Sequence, residues 1–186
     1  MIWLILGIAL WWGAHLFKRV APAARADMAA KMGDKAKGIF AGLIVLSIVL
    51  MVIGFRGAPE IPVYETPSWT RHLNNLLMVI AVILMGVGSS KSPMRGWLRH
   101  PMLTGFLTWA VAHLLVNGDL YSVILFGTLG VWAIVEMLLI NSQEPVYHSY
   151  EGGSTVGTVR LLVISAVVFA VIAAIHSWLG YWPFPV

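Results

Sequence analysis

Apolar residues arrive in six blocks along the chain, with polar and charged residues gathered between them. The blocks run roughly Ile2–Phe17, Ile39–Phe55, Leu73–Gly88, Met102–Val116, Leu120–Ile140 and Leu161–Trp182. The last two reach the ~20 residues that carry an α-helix across ~30 Å of hydrocarbon. The first four are shorter. They gain length from interfacial neighbours such as Trp69 and Trp97, or sit where the bilayer thins. None alternates with a period of two, so the pattern predicts helices and not the strands of a barrel. Lipid offers backbone groups no partner, which again selects helices. The expected fold is all-α: a polytopic transmembrane bundle of about six spans, forming a single integral membrane domain over residues 1–186.

Composition and charge give this bundle a solvent and an orientation. The chain is 59% hydrophobic and only 11% charged, with a mean hydropathy of +0.84. A soluble fold of this length has no interior large enough for that much apolar surface, so the lipid bilayer is the first partner. The net charge of +4 does not imply a nucleic-acid partner, because the basic residues sit beside apolar blocks, where membrane orientation accounts for them. Lys18, Arg19, Arg25, Lys31, Lys35 and Lys37 follow the first block; Lys91, Arg95 and Arg99 follow the third; Arg160 precedes the sixth. Only Arg56 and Arg71 fall on the other side. By the positive-inside rule the first group faces the cytoplasm and both termini face outward. The first block reads as a retained span, since no basic residue precedes it.

The loops differ in character. "RGAPEIPVYETPSW" (56–69) holds three prolines and reads as an extended outer loop. "NSQEPVYHSYEGGSTVG" (141–157) reads as a mobile inner one. Gly38, Gly42, Gly86 and Gly88 are sites where helices can approach closely. Gly118 suits a left-handed stop for the fourth block, and Asp119 an N-cap for the fifth.

The chain has no cysteine, which excludes disulfides, thiolate metal ligands and cysteine-held iron–sulfur clusters. Chemistry therefore falls to histidine and carboxylate. His72 and His148 lie in loops and read as solvated. His100 precedes Pro101, a good first helical residue, and reads equally as a helix start at the interface. His176 stands among Trp178, Tyr181 and Trp182, an interfacial aromatic belt. His15 and His113 lie inside spans, where ionisable groups are costly and usually functional; a neutral imidazole bonded to a carbonyl is the plain alternative. Trp109 lies four residues before His113, on the same helix face. Glu136 is the one carboxylate inside a span. It serves either as a proton donor or ligand-orienting group, or as the partner of Arg99 or a histidine.

"GAHLFKR" ending the first block, "RHPMLTG" opening the fourth, and "WAVAHLLVNGDLYSVILFG" running into the fifth resemble the NnrU family of bacterial membrane proteins. The resemblance covers most of the chain, with its core at 97–127. It implies a setting in the bacterial cytoplasmic membrane and an association with nitrite and nitric oxide reduction. The family is in turn similar to the 15-cis-zeta-carotene isomerases, in which two histidines hold haem b. Carried over by motif, the resemblance implies haem iron ligated by His15 and His113. Trp109 and Asn117 would line the cofactor, and His100 and Glu136 would be the candidate catalytic groups. The substrate it implies is an apolar polyene isomerised under redox control; otherwise the haem serves nitric oxide sensing or electron transfer.

Depth strains that pairing. At 1.5 Å per residue, His15 falls in the inner half of the bundle and His113 in the outer half, roughly 12 Å apart along the normal. His113 with His176, or His15 with His100, share a depth. The resemblance favours His15 with His113. "RHP" followed by glycine also resembles membrane methyltransferases that use S-adenosylmethionine, with Glu136 and Glu144 as downstream candidates. A further reading is a non-enzymatic accessory protein for nitrogen-oxide reductases. If the protein is an enzyme, the resemblance makes it a haem-dependent isomerase of the carotenoid type.

Overall fold

A computed structural model describes residues 1–184. The described chain is helical, without a sheet. Its elements are α1 (Ile2–Val20), α2 (Pro22–Met32), α3 (Asp34–Arg56), α4 (Thr70–Val87), α5 (Pro101–Leu114), α6 (Leu120–Ser122), α7 (Thr128–Gln143) and α8 (Thr155–Trp178). A π turn, Val123–Gly127, joins α6 to α7, so that Leu120–Gln143 forms one 24-residue rod. A single 3-10 turn, Pro93–Gly96, lies between α4 and α5.

Four helical stretches are long and apolar enough to cross a membrane: α3, α4, the Leu120–Gln143 rod and α8. A fifth is reached if α1 and α2, bent by 94° at Ala21, count as one. The 14 residues of α5 reach only ~21 Å, because the helix rises 1.5 Å per residue. Leu115 and Val116, which the sequence reading adds to this block, belong to the turn after it. The segment after the first block also departs from expectation. It is not a loop: residues 22–32 coil into α2, which has Pro22 in its first turn and buries nothing.

The helices pack as antiparallel neighbours. Along the seam of α1 with α3, Leu4 is fully buried against Gly54, and Gly7 lies on Ser47 and Met51. A Cβ on Gly54 would run into the Leu4 backbone. Along the seam of α4 with α5, Gly105 lies against the backbone of Ala81 and Met85. Gly86 meets Leu161 and Ser165 of α8, and Gly88 meets Pro101. Gly38 and Gly42, expected as contact sites, face open space. Close approach falls instead to Gly7, Gly54 and Gly105, in keeping with lipid, where tight packing replaces the hydrophobic drive. The outer faces of α3 and α8 stay apolar and exposed, among them Val45, Ile53, Val163 and Val167, a surface that suits lipid.

Two ends result. At one, the proline-rich loop is stapled to the turn after α5. Val63 and Tyr64 N–H donate to the Gly118 carbonyl, Leu120 N–H donates to Ile61, and the Tyr64 hydroxyl donates to the Leu114 and Asn117 carbonyls. Gly118 is not left-handed; it is glycine because the Tyr64 backbone lies where a Cβ would go. Asp119 caps the rod as expected, accepting from Ser122 N–H at 2.9 Å. At the other end, residues 144–154 lie extended back over the bundle. Arg95 covers Tyr150 and Arg99 covers Tyr147.

Candidate functional site

The local sequence Trp-x-x-x-His occurs twice and builds the same turn twice. His15 Nδ1–H donates to the Trp11 carbonyl at 2.9 Å, and His113 Nδ1–H donates to the Trp109 carbonyl at 2.9 Å. In each turn the imidazole lies against the indole four residues earlier, at 4.2 Å for Trp11 and 5.1 Å for Trp109. His176 follows suit, donating to Ile172 at 2.8 Å. A donating Nδ1–H fixes the tautomer and leaves Nε2 as a lone pair, the form in which histidine accepts a proton or binds metal.

His15 and His113 are not brought together. Between them runs a column of rings: His15 to Trp132 at 4.8 Å, Trp132 to Phe106 at 5.1 Å, Phe106 to Trp109 at 5.0 Å, and Trp109 to His113. Trp11 closes its flank, 5.3 Å from Trp132. A planar iron group held by both imidazoles would have to displace Trp132, Phe106 and Trp109, so the packing does not fit that pair.

His113 instead meets His176, with ring centroids 6.5 Å apart and planes inclined by 45°. Two imidazoles reaching one metal through Nε2 at ~2 Å would place their centroids about 6 Å apart, so these two residues have the spacing to hold one. The helices carrying them do not share a packed seam; α4 packs on both. Phe126 holds the far face of His113 at 4.4 Å, nearly parallel. It is carried there by the π turn, a feature often found at functional sites. Thr128 back-bonds to Ile124 and Leu125 within that turn. Asn117 does not reach the imidazole: its Nδ2 donates to the His113 carbonyl at 2.8 Å. Among the described residues, no group of three or more His, Asp or Glu is placed to hold a metal ion.

The remaining candidates lie at the other end. His100 sits just before α5 and its Nε2 is 2.8 Å from Asn141 Oδ1, far from the His113–His176 pair. Glu136 is 5% exposed. Its partner is not Arg99 but Arg19, at 3.4 Å. Arg19 also holds Glu144 at 2.6 Å, and its own carbonyl accepts from Gln143. That bond to Arg19 keeps the exposed Glu144 carboxyl below the usual carboxylate range. Arg99 reaches the Glu144 carbonyl instead. The other Glu136 oxygen and the indole N–H groups of Trp11, Trp12 and Trp132 are buried without partners. His72 and His148 are exposed, as expected.

Arg19, Trp132, Phe126 and His176 are the site residues that sequence reasoning passed over or discounted. Arg19 lies one turn beyond His15, so their shared face was available as a signal. Phe126 carried none, because a π turn changes the phase that spacing assumes.

Antiparallel apolar helices closed by glycine seams, with histidines and a paired carboxylate in their interior, define a helical membrane-protein architecture. The chain belongs to the NnrU family: the family model described as NnrU protein matches residues 3–183. No curated protein and no solved structure matches it.

Proposed function

We propose that this NnrU protein is a multi-pass protein of the bacterial cytoplasmic membrane that binds haem b at its outward-facing end. In this reading α1 and α5, with their flanking turns, complete six spans and both termini face outward. The ten basic residues at the α2 end support that orientation.

One observation carries the cofactor reading: two imidazoles from different helices, each with Nδ1–H tied to its own helix, face one another at 6.5 Å. His113 and His176 would be the ligands; His15, the partner implied by the resemblance, lies beyond the ring column. Haem b, where bound, would supply one-electron chemistry at its iron, with His113 and His176 as the residues that would hold it. The protein's part is orientation and exclusion. The Trp109 and Ile172 carbonyls hold the tautomers, and Phe126 and Trp109 restrict the His113 ring. The reacting molecule would be the apolar polyene or nitric oxide that the resemblance implies. His100 and Glu136 are too far from this pair to act on it and serve the inner end.

The test is the absorption spectrum of protein purified in mild detergent from haem-replete cells. A low-spin b-type spectrum that survives His15→Ala but is lost in folded His113→Ala and His176→Ala variants supports the reading. Loss in His15→Ala with retention in His176→Ala returns the ligand to His15. A folded protein that stays colourless after haem addition overturns the haem site and leaves a non-enzymatic accessory protein as the reading.

A further inference from the structure

A half-open pocket of about 180 Å³ lies at the bend between α1 and α2, lined by Ala14, His15 and Lys18 of α1, Arg25 of α2, and Phe40 and Ile44 of α3. Its walls divide by chemistry. Lys18 and Arg25 bring cations to it, His15 adds an imidazole, and no carboxylate lines it. The ion pairs among the described residues use Arg19, Lys31 and Lys37, leaving Lys18 and Arg25 without an acidic partner. Ala14, Phe40 and Ile44 supply the apolar wall. The Arg25 guanidinium is fixed 4.7 Å over the Phe40 ring, and that ring is backed by Phe17 at 5.4 Å. The cation is therefore preorganised.

We propose that this elbow binds the phosphate of an anionic phospholipid. Two unpaired cations call for an anion, and a guanidinium with an ammonium suits a phosphate ester. The apolar wall decides the source. It continues from Ile44 into the exposed face of α3 at Val45 and Ile48, a path for acyl chains that free phosphate does not need. The 94° turn sets the cations at the level where a spanning helix meets one lying on the surface. This site is separate from the His113–His176 pair and does not depend on haem.

The full chain, purified in detergent and placed in nanodiscs of zwitterionic lipid with a minor phosphatidylglycerol fraction, would be examined by native mass spectrometry for retained lipid. Three variants are compared: Lys18→Gln/Arg25→Gln, the control Lys31→Gln/Lys35→Gln with equal charge loss outside the cavity, and Ala14→Leu, which fills the cavity and keeps the charge. All three are checked for wild-type melting. Retention of phosphatidylglycerol should fall roughly tenfold or more in the first, at about fivefold per basic residue. It should fall in Ala14→Leu as well, and hold in the control. Equal loss in the first variant and the control overturns the site in favour of diffuse attraction. Displacement of the lipid by millimolar inorganic phosphate, with phosphate itself retained, overturns the lipid assignment.

Discussion

The two Trp-x-x-x-His turns begin alike and end in different chemistry. In both, the imidazole donates to the carbonyl one turn back and rests on that residue's indole. His15 then meets Trp132 on a rod whose next turn carries Glu136, bonded to Arg19. His113 meets a second imidazole and the Phe126 ring. The local sequence sets the tautomer; what the free nitrogen faces is decided by the neighbouring helix. A histidine motif therefore reports readiness to bind, and the partner across the seam reports to what.

The comparison can be broken by removing either half. The largest effect is expected from Gly54→Leu, which sets a side chain against the Leu4 backbone and forces α1 off α3. Folded yield in detergent should collapse, because a backbone obstacle cannot rotate away. Phe126→Ala removes a 7%-exposed ring beside His113 and should cost about 4 kcal/mol in reversible unfolding. It should leave the Arg19 cluster intact. Arg19→Ala does the converse: it strands the buried Glu136 and should cost about 3 kcal/mol, the low end for a broken buried pair. Adding Glu136→Gln should recover most of that loss, whereas a purely steric role for Arg19 predicts no recovery. The smallest effect is in pH. Arg19 depresses the Glu144 carboxyl, so its contribution is complete above the ordinary carboxylate range and disappears as pH falls through the lowered value. Melting temperatures of wild type and Glu144→Gln should differ slightly at neutral pH and converge in acid; a constant difference would refute the linkage.

Much of the helix order was legible because lipid imposes length and apolarity, and both are written residue by residue. The Asp119 cap and the surface placement of His72 and His148 were legible for the same local reason. What escaped depended on partners distant in the chain. Glu136 pairs with Arg19, 117 residues away, and not with Arg99, which is a nearer basic residue in sequence. Gly38 and Gly42 look like contact sites by spacing, yet Gly7 and Gly54 make the contact, because register between α1 and α3 is set by Leu4. His176 reads as one more member of an aromatic belt until the fold sets its ring 6.5 Å from that of His113.

The π turn at Val123–Gly127 interrupts the Leu120–Gln143 rod near its N-terminal end. One residue more than an α-turn advances everything beyond it by about 100° relative to an unbroken helix. Asp119, before the turn, is thus set in one angular frame, and Trp132 and Glu136, beyond it, in another. Deleting a single residue within 123–127 would restore a regular helix and rotate one frame against the other. With Asp119 still capping, Glu136 would swing away from Arg19; with Glu136 held, the Asp119 end would rotate against the turn after α5. The rod works as a fixed phase shifter, keeping two distant stations on one helix aimed at different neighbours.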